Sequence, residues 1–208
     1  MPESWSIHNP GNAAARGELS AAVLEHAAQP IAQGQPLLDV GCGTGWLLEL
    51  LTGAGAAPSA LHGVEPDRAR VNAARTRAPG ATIEVGDATR LAYRDAAFGL
   101  VALIVVLSSL PRGDVARALA EARRVLSPGG VVLIYEPRLP NPLNRATHLV
   151  RKRHLDQAGL LPRTERSLTL LPPIGRSLGA LTPRLHPLLS RVPLLRGHRL
   201  VTYREPAG

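Results

Sequence analysis

The stretch Leu37-Leu38-Asp39-Val40-Gly41-Cys42-Gly43-Thr44-Gly45-Trp46-Leu47-Leu48 decides the fold of this 208-residue chain. A short, mainly apolar run leads into a loop with glycine at alternate positions, and a leucine-rich segment follows. This order predicts a buried strand, a tight loop with accessible backbone N–H groups, and the first turn of a helix. Glycines leave room for a ligand, and a helix N-terminus carries partial positive charge. The stretch therefore predicts a binding site for a small nucleoside-like ligand.

The spacing of the glycines indicates which ligand the loop binds. Dinucleotide-binding loops have the spacing G-x-G-x-x-G, in which the third glycine lets helix and strand pack closely. Here the spacing is G-x-G-x-G, and the bulky Trp46 follows it. The run Asp39–Gly45 resembles motif I of the class I S-adenosylmethionine (SAM)-dependent methyltransferases. The resemblance covers roughly residues 21–137 and implies a Rossmann-like fold with SAM as the cofactor.

Strand and helix patterns alternate over the first two thirds of the chain. The apolar, β-branched run that starts at Phe98 predicts a central strand buried on both faces. Asp67 is expected to cap the helix that follows it. The alternation predicts an α/β fold with a doubly wound, mostly parallel sheet, which binds ligands at the carboxyl ends of its strands. The predicted strands are Leu37–Val40, Ala60–Glu65, Thr82–Val85, Phe98–Val106 and Val131–Tyr135, and the predicted helices are Leu19–Ala28, Gly45–Leu51, Asp67–Arg77 and Asp114–Leu126.

We divide the chain into three parts. Residues 1–18 are predicted to form an N-terminal lid segment, and residues 19–136 form the SAM-binding α/β core. Residues 137–208 form a basic, Pro- and Leu-rich extension on the acceptor side, which completes the sheet. Its prolines interrupt long elements, but the pattern permits a helix over Arg145–Gln157 and a last strand over Leu194–Tyr203.

Composition restricts the class of protein. A single cysteine, Cys42, excludes a disulfide framework and a zinc cluster, so we expect no metal site and a reducing compartment. Residues 1–16 lack the pattern of a signal peptide, and no apolar run reaches about 18 residues. We therefore expect a cytoplasmic protein without a transmembrane segment. Residues 137–208 carry 13 Lys or Arg and 3 Asp or Glu, a net charge of +10, whereas residues 1–136 carry −2. Arginine-rich codon usage and a functional basic face explain this equally well.

Acidic residues follow the other predicted strands. Glu65 ends the second strand about 20 residues after the loop, where an acid accepts hydrogen bonds from both ribose hydroxyls in nucleotide-binding sheets. The resemblance implies that Glu65 and Pro66 contact the SAM ribose. It implies that Asp87 and Ala88 contact the adenine, and that Asp39, Leu103 and Ile104 approach the amino group of the methionine part. The loop residues Gly41, Cys42, Gly43 and Gly45 are further predicted cofactor contacts. Arg16 is our candidate partner for the SAM carboxylate, because arginine binds carboxylates in bidentate geometry.

The sequence does not determine the catalytic residues. SAM already holds an electrophilic methyl group, so a general base is needed only for a hydroxyl or a protonated amine. Ser108 and Ser109 stand where relatives usually carry an aromatic residue or histidine after the fourth strand. The remaining candidates are His8, on the predicted lid, and Glu136, which we expect to face the rim of the site. Gly99 replaces the aspartate usual in the family, which we expect to loosen the start of that strand.

The resemblance implies a methyltransferase, and we expect a small-molecule or lipid-like acceptor methylated at oxygen or carbon. The tetrad Asn/Asp-Pro-Pro-aromatic, typical of amino-group methylation of adenine, is absent. An RNA methyltransferase that uses the basic C-terminal segment is the first alternative, although a single lysine, Lys152, and a single aromatic residue, Tyr203, in that segment argue against nucleic acid. Further alternatives are a non-catalytic SAM-binding protein and a peripheral membrane enzyme, indicated by Leu185–Leu195. The sequence leaves the oligomeric state open and permits a homodimer.

Overall fold

The computed structural model describes residues 10–139, 148–150, 154–155, 161–171, 174, 188–189 and 191–204. Within these residues a sheet of seven strands has helices on both faces. The helices are α1 (Pro10–Ala32), α2 (Trp46–Gly53), α3 (Arg68–Arg77) and α4 (Val115–Arg124). The strands are β1 (Leu37–Val40), β2 (Leu61–Glu65), β3 (Thr82–Val85), β4 (Phe98–Ile104), β5 (Leu126–Pro137), β6 (Leu161–Leu170) and β7 (Arg196–Arg204).

The strand order is β3-β2-β1-β4-β5-β7-β6. Strands β1 to β5 pair in parallel, whereas β7 runs antiparallel to both of its neighbours. Because β1 pairs with β2 on one side and with β4 on the other, the chain reverses direction across the sheet at these two strands. The carboxyl ends of β1 and β4 thus form the topological switch point, where doubly wound folds bind ligands. The predicted fold class is confirmed.

Two apolar layers cover the sheet. Along β4 the side chains alternate, since Leu100 and Ala102 pack with α1, α2 and α3, whereas Val101 and Leu103 pack with α4. All four are fully buried, which confirms the prediction of a central strand. Such burial stabilises the fold by roughly 1.5–3 kcal/mol for each large apolar side chain. The rigid sheet therefore fixes the loops at its carboxyl edge.

Helix α1 is longer than the sequence pattern predicted. It begins at Pro10 rather than Leu19, and it continues past Pro30 to Ala32. Proline at the first turn costs nothing, because the N–H group that it lacks has no partner there. Residues 10–18, assigned to the lid, therefore belong to the same helix as the core segment that follows. Residues 1–9, which include His8, lie outside the described residues.

The C-terminal extension adds two antiparallel strands. The last strand is confirmed as β7, whereas β6 was not predicted because its proline, Pro162, and its polar residues hide any alternation. β6 pairs only with β7 and forms the edge of the sheet, a position that tolerates Pro162. The helix predicted over Arg145–Gln157 lies mostly outside the described residues, and residues 154–155 are helical.

None of the helices in the described part of the chain is long and apolar enough to cross a bilayer.

Candidate functional site

The loop after β1 combines close packing with one open position. Gly41, Gly43 and Gly45 all have left-handed backbone, with φ of 71°, 56° and 82°. A Cβ at Gly41 would lie 2.5 Å from Cγ2 of Val106, and one at Gly45 would lie 3.0 Å from Cα of Ala74. A Cβ at Gly43, in contrast, would meet no atom within 4 Å. Two glycines are thus required by the packing of the protein itself, and the third leaves an open surface.

Glu65, at the end of β2, holds this loop in place. Its side chain is 5% exposed, and Oε2 accepts a hydrogen bond from the backbone N–H of Gly43 at 3.0 Å. Oε1 accepts from the backbone N–H of Asp67 at 3.4 Å and lies 3.6 Å from the guanidinium of Arg70. The carboxylate is therefore a buried part of the loop rather than a solvated surface group. Asp67 caps α3, as predicted, by accepting from the N–H groups of Ala69 and Arg70.

A second acid, Asp39, lies beneath the loop. It is 4% exposed, and burial, followed by the charge of Glu65, raises the pKa of its carboxyl well above the ordinary value. Burial and the same two carboxylates also raise the pKa of the Cys42 thiol, which makes that thiol a weak nucleophile. Because the charge of Glu65 acts on Asp39, a positively charged ligand between the two carboxyl groups would relieve their repulsion.

The predicted adenine contacts lie in the turn after β3. Asp87 is exposed, and its Oδ1 accepts a hydrogen bond from the backbone N–H of Thr89 at 2.8 Å. Ala88, the next residue, is buried. The guanidinium of Arg124 holds the following segment by donating to the carbonyl oxygens of Leu91 and Tyr93. The Asp87 carboxylate thus keeps acceptor capacity beyond the turn that it stabilises.

The end of β4 has unusual backbone geometry. Leu103 is fully buried and Ile104 is partly buried, and Val105 then adopts left-handed backbone with φ of 57°. Left-handed backbone is rare for a β-branched residue and costs about 1–3 kcal/mol. It brings Val106 against the glycine loop, where its methyl group fills the space beside Gly41. Apolar side chains therefore line the switch point at the end of β4.

Glu136 lies under the next turn. It is 1% exposed, and its carboxylate accepts from the backbone N–H groups of Leu107, at 2.7 Å, and Ser108, at 3.3 Å. Burial raises its pKa to about 7, against the opposing effect of these hydrogen bonds. This position corrects the expectation that Glu136 faces the rim, because both oxygens bind the backbone of the turn after β4.

Arg16 reaches the site from α1. Its guanidinium carbon lies 4.2 Å above the ring of Trp46, the first residue of α2, so a cation–π contact joins the two helices. The structure thus brings Arg16 next to the predicted loop. Sequence reasoning missed the contribution of Trp46, since no local pattern links residues 30 positions apart.

Gly99 has a structural explanation. A Cβ there would lie 2.1 Å from Oε1 of Gln35, so the glutamine side chain fills the space that the family's aspartate would need. Its backbone N–H also donates to the carbonyl oxygen of Pro36 at 2.9 Å. The pairing of β4 with β5 shifts register between Phe98 and Leu100, so the start of the strand is irregular at Gly99 although Gln35 packs against it.

Comparisons with known proteins agree with this geometry. Residues 38–134 match the family described as methyltransferase domain. The chain is 35% identical over 104 residues to a probable SAM-dependent methyltransferase of Mycolicibacterium smegmatis, and 29% identical over 115 residues to the demethylmenaquinone methyltransferase of Chlorobaculum parvum. These matches cover 50% and 55% of this chain, and 38% and 46% of those proteins. The chain thus spans less than half the length of either relative.

Solved structures share the fold. The geranyl diphosphate C-methyltransferase of Streptomyces coelicolor A3(2) matches with a TM-score of 0.66 and 16% identity, covering 89% of this chain and 77% of that one. Motif, switch-point geometry and family match all agree: residues 38–134 of the chain are similar to the methyltransferase domain family.

Proposed function

We propose that the chain transfers the methyl group of SAM to an oxygen or carbon atom of a small or lipid-like metabolite. The observation that carries the proposal is the open surface at Gly43, bounded by the buried carboxyl groups of Asp39 and Glu65. We also propose a cytoplasmic location, because the chain has a single cysteine, Cys42, and that cysteine is free.

The charge of the site suits SAM. SAM carries a sulfonium and an ammonium group, and the buried carboxyl groups of Asp39 and Glu65 are the acidic groups that a cation would stabilise. Glu65 has further lone pairs for ribose hydroxyls beyond those that its backbone partners use. The residues that would hold the cofactor are Glu65 and Pro66 at the ribose, Asp87 and Ala88 at the adenine, Arg16 at the carboxylate, and Asp39, Gly41, Cys42, Gly43, Gly45, Leu103 and Ile104 along the methionine part.

The protein contributes positioning rather than strong acid–base chemistry. Bound SAM supplies a methyl group on a positively charged sulfur, which is electrophilic without further activation. The segment from Leu103 to Leu107 is apolar throughout and would limit water at the end of β4, and Glu136 binds the backbone of the turn that follows. Correct orientation of two reactants alone accounts for several kcal/mol of a reaction barrier.

Several observations support a lipid-like acceptor. The strand end beside the loop is apolar, and exposed large apolar residues in the extension include Leu139, Leu188 and Leu194. The relatives named above act on demethylmenaquinone and geranyl diphosphate, which both carry prenyl chains. An apolar entrance beside the carboxyl edge would suit such a chain.

RNA methylation is the second candidate, because residues 137–208 carry a net charge of +10. Phosphate binding needs accessible cations. In the described part of the extension, Arg166 pairs with Glu25 at 2.6 Å, Arg196 pairs with Glu18, and Arg199 donates to the carbonyl oxygen of Val150. These internal partners reduce the charge available to RNA, so we favour the small acceptor.

The test is methyl transfer from labelled SAM into an extract of a strain that lacks the gene, followed by separation of lipid, small-molecule and RNA fractions. The proposal expects label in the lipid or small-molecule fraction, and mass spectrometry would then identify the product. Label confined to RNA would favour the second candidate. Tight SAM binding without label in any fraction would indicate a non-catalytic SAM-binding protein.

A further inference from the structure

Two β-branched residues with left-handed backbone bond to the same tyrosine. Val105 has φ of 57° and Thr169 has φ of 55°. The backbone N–H of Val105 donates to the carbonyl oxygen of Tyr135 at 2.8 Å, and Oγ1 of Thr169 lies 2.9 Å from the Tyr135 hydroxyl. Each conformation costs about 1–3 kcal/mol, and such strain is concentrated at functional sites. Tyr135 therefore stands between two strained segments of the chain.

A histidine completes this group. The His198 ring stacks on the Tyr135 ring, with centroids 4.8 Å apart and planes 10° apart, and its Nδ1 lies 2.8 Å from Oγ1 of Thr169. We call Tyr135, Thr169 and His198 the polar cluster. Tyr135 and Thr169 are buried, whereas His198 is partly exposed. The imidazole is thus the member of the cluster that a ligand can reach.

The strand register places the polar cluster at the same edge of the sheet as the candidate site. Tyr135 on β5 pairs with Ile104, the last residue of β4, and His198 on β7 pairs with Pro137, the last residue of β5. The cluster therefore lies at the carboxyl edge of the sheet, which also carries the glycine loop. Helix α1 contacts the same region, because Glu18 accepts a hydrogen bond from the backbone N–H of Thr169 at 3.0 Å.

The left-handed backbone at Thr169 has a specific consequence. Leu168 packs in the same apolar layer as Tyr135, so ideal strand alternation would point the next side chain to the opposite face. Instead, the Thr169 hydroxyl contacts both Tyr135 and His198. The left-handed backbone of Thr169 thus turns its side chain to the face of the sheet on which α1 and the glycine loop lie.

The hydrogen bonds also define the imidazole tautomer. If the Tyr135 hydroxyl donates to Thr169, and Thr169 donates to Nδ1 of His198, each hydroxyl hydrogen has an acceptor. The reverse direction would leave the buried Tyr135 O–H without one, at a cost of about 1–3 kcal/mol. The favoured direction leaves the proton of the neutral ring on Nε2. Burial lowers the pKa of His198 to about 4, so the ring is neutral at pH 7.

We propose that the polar cluster forms the recognition wall of the acceptor pocket, in which Nε2–H of His198 donates a hydrogen bond to an oxygen atom of the acceptor. This inference rests on the proposed methyltransferase function. It narrows the acceptor to an oxygenated compound, such as a phenol, quinol or ketone. Thr169 and Tyr135 are positioning residues, because they fix the plane and the tautomer of the imidazole.

The chain offers a matched control. Oγ1 of Thr164 lies 2.7 Å from Oγ1 of Thr202, so it also joins β6 to β7 through a threonine hydroxyl. Thr202 pairs with Leu133 on β5, two residues before Tyr135, and so lies further from the carboxyl edge. The variants T169V and T164V each remove one such hydroxyl, and T169S keeps the hydroxyl at the first position.

The test uses the extract fraction that accepts label from SAM, supplied over a range of dilutions to separate apparent KM from maximal rate. We expect T169V to raise the apparent KM for that fraction about tenfold, with SAM affinity within about twofold of wild type. T169S and T164V should keep both values near wild type. In histidine-labelled protein, 15N spectra should show the Nε2–H tautomer of His198, and T169V should disturb it.

If wild type transfers methyl groups, two results would overturn the inference. The first is an equal effect of T169V and T164V on KM, and the second is an Nδ1–H tautomer of His198 in wild type. Absence of transfer by wild type would instead refute the proposed function, and the inference with it. Loss of SAM affinity in T169V would show that the cluster supports the fold or the cofactor site, which also contradicts acceptor recognition. H198F, which keeps the stacked ring but loses both nitrogens, provides a second variant with the same expected rise in KM.

Discussion

Replacing Gly43 by alanine should weaken SAM binding at least tenfold, at a cost in stability of about 1–2 kcal/mol. A Cβ at Gly43 meets no protein atom within 4 Å, so the only intramolecular cost is the left-handed backbone at φ of 56°. That conformation costs alanine about 1–2 kcal/mol. The cost corresponds to a fall in Tm of about 2–4 °C per kcal/mol in a chain of this size. The new methyl group instead occupies the surface that we assign to the ligand.

The expected loss of affinity follows from overpacking. An extra methyl group in a closely packed contact costs about 1–3 kcal/mol, and each 1.4 kcal/mol corresponds to a tenfold change in Kd. Titration calorimetry with SAM should therefore show at least tenfold weaker binding for G43A. G34A is the matched control, since Gly34 also has left-handed backbone, with φ of 62°, and open space around its Cα. It should lose the same stability and keep wild-type affinity.

A third variant separates packing from binding. G45A should lose more stability than either, because its Cβ would lie 3.0 Å from Cα and 3.1 Å from the carbonyl oxygen of Ala74. The reasoning fails if G43A binds SAM within twofold of wild type, or if G43A is destabilised as strongly as G45A.

Three further predictions follow from buried groups. The pKa of Glu136 in the folded protein is about 7, above its ordinary value of 4.5, so folding favours the protonated carboxyl. The free energy of unfolding should therefore fall by up to about 3 kcal/mol as the pH rises from 5 to 8. Denaturant titrations at both pH values should show this slope in wild type, and E136Q should lack it; an identical slope in both would contradict the assignment. D39N should weaken SAM binding about tenfold or more at pH 7. The affinity of the wild type for SAM should fall at acid pH, because a protonated Asp39 no longer pairs with a cation. An affinity that stays constant in calorimetry over a pH series would refute this prediction. G99A should cost about 1–3 kcal/mol of stability. Q35A should relieve part of that cost in the double variant, because it removes Oε1 and Cδ of Gln35, which would lie 2.1 and 2.7 Å from the new Cβ, but keeps the Gln35 Cβ at 2.9 Å. Additive effects in a double-mutant cycle would count against this explanation.

Local sequence patterns predicted the strands and helices of the N-terminal part of the chain, where these patterns are strong. The strand–glycine loop–helix pattern at Leu37–Leu48 and the apolar run at Phe98 each depend on neighbouring residues, and both appear in the structure as expected. Glu65 was likewise identified by its place at a strand end. Its hydrogen bond to Gly43 was not foreseen, because that contact spans 22 positions.

Long-range contacts set the limit of prediction. Thr169 belongs to an edge strand that contains a proline and shows no clear alternation. Its proposed role depends on contact with Tyr135, 34 positions earlier in the chain. It also depends on left-handed backbone, which the sequence around a threonine does not predict. Glu136 was placed correctly at the end of β5, but its burial depends on how the turn after β4 folds over it. Tertiary packing decides such positions, and local propensity carries no information about it.

The central claim is that the carboxyl edge around Gly43, Asp39 and Glu65 binds SAM. The most direct measurement is calorimetric titration of the wild-type chain with SAM, with NAD as a competing ligand of the same sheet class. We expect one SAM per chain, with a Kd in the range of about 1 μM to 1 mM that is typical of enzyme substrates, and no heat with NAD. Absence of SAM binding, or equal binding of NAD, would contradict it.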